Sequence, residues 1–271
     1  MREELARAVK APQAWVAFAV CFMTLMGYSL AYWIGTNLAG EWLEYRESAL
    51  QLSIGGIFFG GFMLLLPFCA ALAHSTSQVD DMCSGIMRWE ALRSSVLKYV
   101  GSKVGTCMLV AAISTSSAFV LHAILWNNIA LPVDPTAYPS HTIYFSKKCI
   151  FHNLYTVCYG LPVYVEMTLG IAFTASIWAV VALAIAIWIP DKLLTVTIPS
   201  FLYYLWNANV VYYFTGIKTP HPAILFNDGL TIEKAIISIE AYLIILGICY
   251  LSYHLGFHLF TDFFHRLTSF K

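Results

Sequence analysis

The stretch QVDDMCSGIMRWEALRSSVLKYVGSK, residues 78–103, lies between two of the most apolar runs in the chain and carries an unusual share of its charge. Its reading decides the fold. If the flanking runs cross a membrane, this stretch is the connection between them, and the side on which it emerges orients everything else.

The composition supports crossing. Of 271 residues, 59% are hydrophobic and 11% charged, less than half the charged share of about 25% in ordinary soluble domains. A hydrocarbon core of about 30 Å needs about 20 residues of helix. Six apolar runs reach that length: 14–35, 51–73, 104–126, 167–189, 193–214 and 235–257. The first exceeds the apolar core of a secretory signal and has no A-x-A cleavage site after it, so it is expected to remain as a span. The sequence therefore predicts an all-α polytopic membrane protein with six transmembrane helices.

Loop charge gives the orientation. Arg2, Arg7, Lys10, Arg88, Arg93, Lys98, Lys103, Lys192, Arg266 and Lys271 fall on one side, and Arg46, Lys147, Lys148, Lys218 and Lys234 on the other. By the positive-inside rule the richer side is cytoplasmic, which places both termini inside the plasma membrane. Residues 1–12 then read as an amphipathic interfacial helix, with Leu5, Ala8 and Val9 opposite Arg2, Glu3, Arg7 and Lys10. Residues 127–166 form the longest external loop, rich in proline and aromatics. Only Pro190, Asp191 and Lys192 join the fourth and fifth runs, which forces those helices to be antiparallel neighbours.

Read as a helix, residues 78–103 place Met82, Ile86, Trp89, Leu92, Val96 and Val100 on one face and Ser84, Arg88, Ser95 and Lys98 on another. This is either a solvated inner loop or a docking element whose apolar ridge sits in a groove of a soluble partner. Gly85 interrupts it, and a bend or break is expected there.

Other residues suggest chemistry more weakly. Gly56 and Gly60 form a G-x-x-x-G that suits close helix packing. His254, His258 and Asp262 recur at four-residue spacing, which lines up one helical face as a weak metal candidate or as an interfacial helix end. Glu240 is an acid inside an apolar run, either reaching the outer interface or lining a pathway with Asn207, Asn209 and His122. Cys149 and Cys158 share the external loop and are either a disulfide or two buried thiols. No G-x-x-x-x-G-K-[ST] phosphate loop occurs, so no nucleotide cofactor is expected on this chain. Nor is nucleic acid an expected partner.

The acidic pair Asp80-Asp81, followed by Ser84-Gly85, Arg93, Tyr99 and Ser102-Lys103 between the second and third spans, resembles the permease subunits of ABC-2 type transporters. The six spans, the inner termini, the amphipathic N-terminal segment and the short Asp191-Lys192 link are similar to that family too. The resemblance implies a subunit without catalysis of its own, paired with a second copy or a relative and with ATPase subunits that bind ATP and Mg. It also implies a cytoplasmic coupling helix within 78–103, with Asp81, Met82, Ile86, Arg88, Trp89 and Arg93 as ATPase-facing or load-transmitting positions. The expected activity is export of a hydrophobic or amphipathic substrate such as a peptide or lipid-like compound. The alternatives are a membrane-embedded metal-dependent enzyme built on the His254 face, and a non-catalytic immunity protein that sequesters an antimicrobial peptide.

Overall fold

A computed structural model describes residues 2–38, 49–58, 60–87, 89, 95–129, 161–207 and 243–259. Among these residues all regular structure is helical. Helix α1 (Arg2–Lys10) turns at Ala11 into α2 (Pro12–Leu38). Proline suits that first helical position because it has no N–H to leave unpaired. Then come α3 (Ala49–Phe58), α4 (Phe62–Ala70), a π-helical turn (Ala71–Ser75) and α5 (Ser77–Cys83). Helices α6 (Val96–Ile129), α7 (Leu161–Trp188), α8 (Lys192–Asn207) and α9 (Leu243–Leu259) complete the bundle.

Four helices are long and apolar enough to cross a membrane: Pro12–Gly35, Phe62–Cys83, Leu97–Ile129 and Tyr164–Trp188. The described residues thus make an all-helical fold whose apolar helices mark a membrane-embedded protein. Helices α8 and α9 cover parts of the fifth and sixth apolar runs; residues 208–214 and 235–242 of those runs lie outside the described residues.

The second span departs from its expected limits of 51–73. Its long helical body is Phe62–Cys83, and α3 is a separate segment. Two glycines cause the separation. Gly61 has φ +77°, a left-handed conformation that costs other residues energy, and the N–H of Gly60 reaches back five residues to the Gly55 carbonyl at 3.2 Å. A Cβ at Gly60 would lie 2.5 Å from the Gly56 carbonyl oxygen, and one at Gly55 would lie 2.7 Å from the Tyr28 ring. These glycines let α2 lie against the broken helix, as the G-x-x-x-G spacing suggests. At its other end the span runs on past Ala73 because His74, Ser75, Thr76, Gln78 and Asp81 are buried inside the protein. Hydropathy counts them as loop, whereas partnered polar groups can stay in a helix.

The stretch 78–103 breaks at Gly85, where a bend or break is expected. Helix α5 stops at Cys83, and Gly85 breaks the path with φ +75°. Ile86 and Trp89 are exposed beyond the break, while Val100 is already buried in α6. The apolar ridge of the sequence reading is therefore split into a short exposed part and a core part.

The main core gathers α1, α2, the broken second span, α6, α7 and α9 around Leu25, Phe62, Leu66, Phe119, Ile171, Tyr253 and Phe257. At one end of the bundle these helices converge on a polar site.

Candidate functional site

The site is assembled at the end of the bundle where α1 docks. Glu4 and Arg7 are three residues apart on α1, so both face the same way. Arg7 Nη2 lies 2.6 Å from Glu4 Oε2. The same guanidinium grips Asp81 of α5 with both nitrogens, Nη1 to Oδ1 at 3.0 Å and Nη2 to Oδ2 at 3.2 Å, the planar fork that suits a carboxylate.

From the opposite side Lys103 of α6 completes the cluster. Its Nζ is 2.5 Å from Asp81 Oδ2, donates to Ser77 Oγ at 3.2 Å, and donates to Glu4 Oε1. His74, in the π-helical turn, places Nε2 3.3 Å from Glu4 Oε1 and 3.4 Å from Ser77 Oγ. The two carboxylates and two cations balance. Burial alone would raise the Glu4 carboxyl, but the His74 hydrogen bond and the charges of Lys103 and Arg7 outweigh it and hold it well below the usual carboxylate range. Burial works against the Arg7 charge too, yet Glu4 and Asp81 raise its pKa further above its ordinary value.

Around this core run two extensions. The wholly buried Gln78 accepts hydrogen bonds from Tyr253 Oη of α9 at 2.7 Å and Tyr99 Oη of α6 at 3.4 Å. Tyr99 also stacks on Phe257 with ring centres 4.9 Å apart. On the outside, Asp80 pairs with Lys192 at 2.6 Å, and this hydrogen bond and charge raise the pKa of the lysine. Asp191 Oδ1 accepts the Leu194 N–H at 2.9 Å and so starts α8. A pocket of about 150 Å³ borders the cluster between Arg7, Gln13, His74, Ser77, Asp80 and Asp81.

Of the residues the sequence placed in a coupling element, Asp81 is buried rather than facing a partner, because Arg7 and Lys103 hold it. Among the partner-facing and load-transmitting roles, only the second is open to it. Met82 is half-buried against the core, and Ile86 and Trp89 are exposed at 42% and 70%. Arg88 and Arg93 lie outside the described residues.

Of the suggested pathway residues only the side chain of His122 lies among the described residues. His122 is buried and joins three helices, with Nε2 2.9 Å from Ser29 Oγ and Nδ1 3.3 Å from Ser53 Oγ. Asn209, Glu240 and the side chain of Asn207 lie outside the described residues. So do Cys149, Cys158 and Asp262. His254 and His258 have ring centres 5.1 Å apart, and among the described residues no group of three His, Cys, Asp or Glu side chains could hold a metal.

Sequence reasoning passed over Glu4, His74, Ser77 and Gln78, and it read Arg7 and Lys103 as loop charges, as part of the amphipathic N-terminal face and of the resemblance motif, without pairing them. One usable signal was the acid and base three residues apart on an amphipathic N-terminal segment; another was a lysine at the very mouth of an apolar run. No family model, curated protein or solved structure matches this chain.

Proposed function

We propose that this chain is the permease subunit of an ABC-2 type exporter, working with a separate ATPase that binds ATP and Mg. In this reading the chain has six spans in the plasma membrane with both termini cytoplasmic, and α1 lies in the inner interface. Residues 78–103 hold the coupling element. The substrate class is hydrophobic or amphipathic, a peptide or a lipid-like compound.

The observation that carries the reading is the contrast across Gly85. After it, Ile86 and Trp89 stand exposed at the end of the bundle. Before it, Asp81 is tied through Lys103 and Arg7 to α6 and α1, and Gln78 is tied to α9. An exposed tryptophan is the type of rigid anchor that dominates protein interfaces. A push on it reaches α5 across one turn; the ion pairs of Asp81 then deliver the load to α1 and α6, and the Gln78 hydrogen bond delivers it to α9. The second proposed partner, another copy or a relative of this chain, completes a transport pathway in the same scheme.

The test is isolation of the chain from its native membranes in mild detergent or nanodiscs. The reading requires a subunit carrying a phosphate-binding loop to accompany it in fixed stoichiometry and to hydrolyse ATP. A folded chain that purifies alone, or with a metal bound stoichiometrically, removes this function.

A further inference from the structure

The charges of the cluster, in which Asp81 and Lys103 are buried and Arg7 is 45% exposed, divide into two neutral halves. One half belongs to α1: Glu4 and Arg7, paired within the helix at 2.6 Å. The other belongs to the body of the bundle: Asp81 and Lys103, paired with each other at 2.5 Å. Docked, the halves interleave, with Arg7 on Asp81 and Glu4 on Lys103 and His74.

We propose that α1 is a reversible latch, which docks by interleaving these two neutral ion pairs and undocks without stranding a charge. An ordinary buried ion pair cannot separate in this way, because losing one partner leaves an uncompensated charge in a poor solvent. Here each charge keeps its own partner on its own side. Few other contacts oppose release. Ala8 is buried and Leu5 packs against the core, whereas Val9 and Lys10 are exposed. The chain already bends at Ala11, between α1 and α2, and this gives the arm its pivot. Trp15 Nε1 donates to the Val9 carbonyl at 3.2 Å and holds the end of the arm nearest that pivot.

The latch stands on the geometry of this chain alone; what it controls, the stiffness of the path from Trp89 into the bundle, rests on the permease reading. With α1 docked, Asp81 has two cations and α5 is fixed to α1 and α6. With α1 released, Asp81 keeps Lys103 as its one cation, and α5 is held by that pair and by the Gln78 and Asp80 contacts.

The experiment uses the full chain in nanodiscs, without an ATPase, so that failure of the transporter reading does not affect it. Spin labels are placed at Val9→Cys and Asn127→Cys, with Cys83, Cys149, Cys158 and Cys249 replaced by serine. Both labelled positions are exposed. Asn127 lies on the same continuous helix as Lys103, about 36 Å along it at 1.5 Å per residue. The latch predicts a docked distance at low salt and a growing second, displaced population at high salt, where screening length falls to about 3 Å.

Exchanging Glu4→Arg and Arg7→Glu together keeps α1 neutral and self-paired but sets like charges against Lys103 and Asp81. It should move most molecules to the displaced population at low salt. Glu4→Asp with Arg7→Lys should keep them docked. A single docked distance at every salt concentration in the wild type overturns the proposal whether or not the exchange variant folds, and so does an exchange variant with the wild-type distribution.

Discussion

Asp81 and Lys103 face each other across α5 and α6, carboxylate to ammonium at 2.5 Å, with 4% and 1% of their side chains exposed. Both belong to the polar stretch that interrupts the apolar runs, and neither is solvated. The charge of that stretch is therefore partly internal, where each ion pays desolvation that only close partners offset.

Removing one member should be far worse than removing both. Lys103→Met leaves Asp81 and Glu4 sharing Arg7, at a cost of about 3–5 kcal/mol. Asp81→Leu combined with Lys103→Met should recover most of that loss. Thermal unfolding in nanodiscs measures both; a single variant as stable as the double one would show that the pair is not buried in the membrane-embedded protein.

Acid should release α1, but late. The Glu4 carboxyl is held below its unfolded value of about 4.3 by His74, Lys103 and Arg7 despite its burial. A lowered pKa stabilises the docked state in full above the unfolded value, and that stabilisation is lost as pH falls through the docked value. The Val9–Asn127 distance should thus be constant from about pH 8 to 5 and respond only at lower pH. Glu4→Gln should remove the part of that acid response due to this carboxyl.

The glycines of the second span differ in what a methyl group meets. Gly60→Ala puts a carbon 2.5 Å from a backbone carbonyl and should destabilise by about 1–3 kcal/mol, as overpacking does. Gly27→Ala, in the interior of α2, meets nothing within 4 Å and should be neutral or stabilising by up to about 1 kcal/mol. Unfolding midpoints of the two variants, compared side by side, check the contrast.

His122→Leu should cost about 1–3 kcal/mol, because Ser29 and Ser53 lose the ring nitrogens they share in the buried interior.

What the sequence makes legible here is long-range apolar periodicity. Spans one, three and four cover the runs where hydropathy places them, since those runs are uninterrupted; the third helix starts earlier, at Leu97, and takes in Lys103, which Glu4 and Asp81 hold. The second span is shifted because its polar end, His74 to Asp81, is partnered by residues far off in sequence, from Tyr99 and Lys103 on α6 to Glu4 and Tyr253 at either end of the chain. No local pattern announces such pairings. For the same reason Lys103 reads as a loop cation when it is the most deeply buried charge of the cluster. Gly85 was readable, because a glycine break is a local backbone property.

The proposed docking of an ATPase on the segment beyond Gly85 can be measured as the affinity of the purified chain for that ATPase, with and without Trp89→Ala. Trp89 is 70% exposed there, and Trp33, 44% exposed on α2, supplies the control. The account predicts that Trp89→Ala weakens binding by about 2 kcal/mol, roughly 30-fold in Kd, while Trp33→Ala leaves it unchanged. Equal affinities for wild type and Trp89→Ala would contradict it.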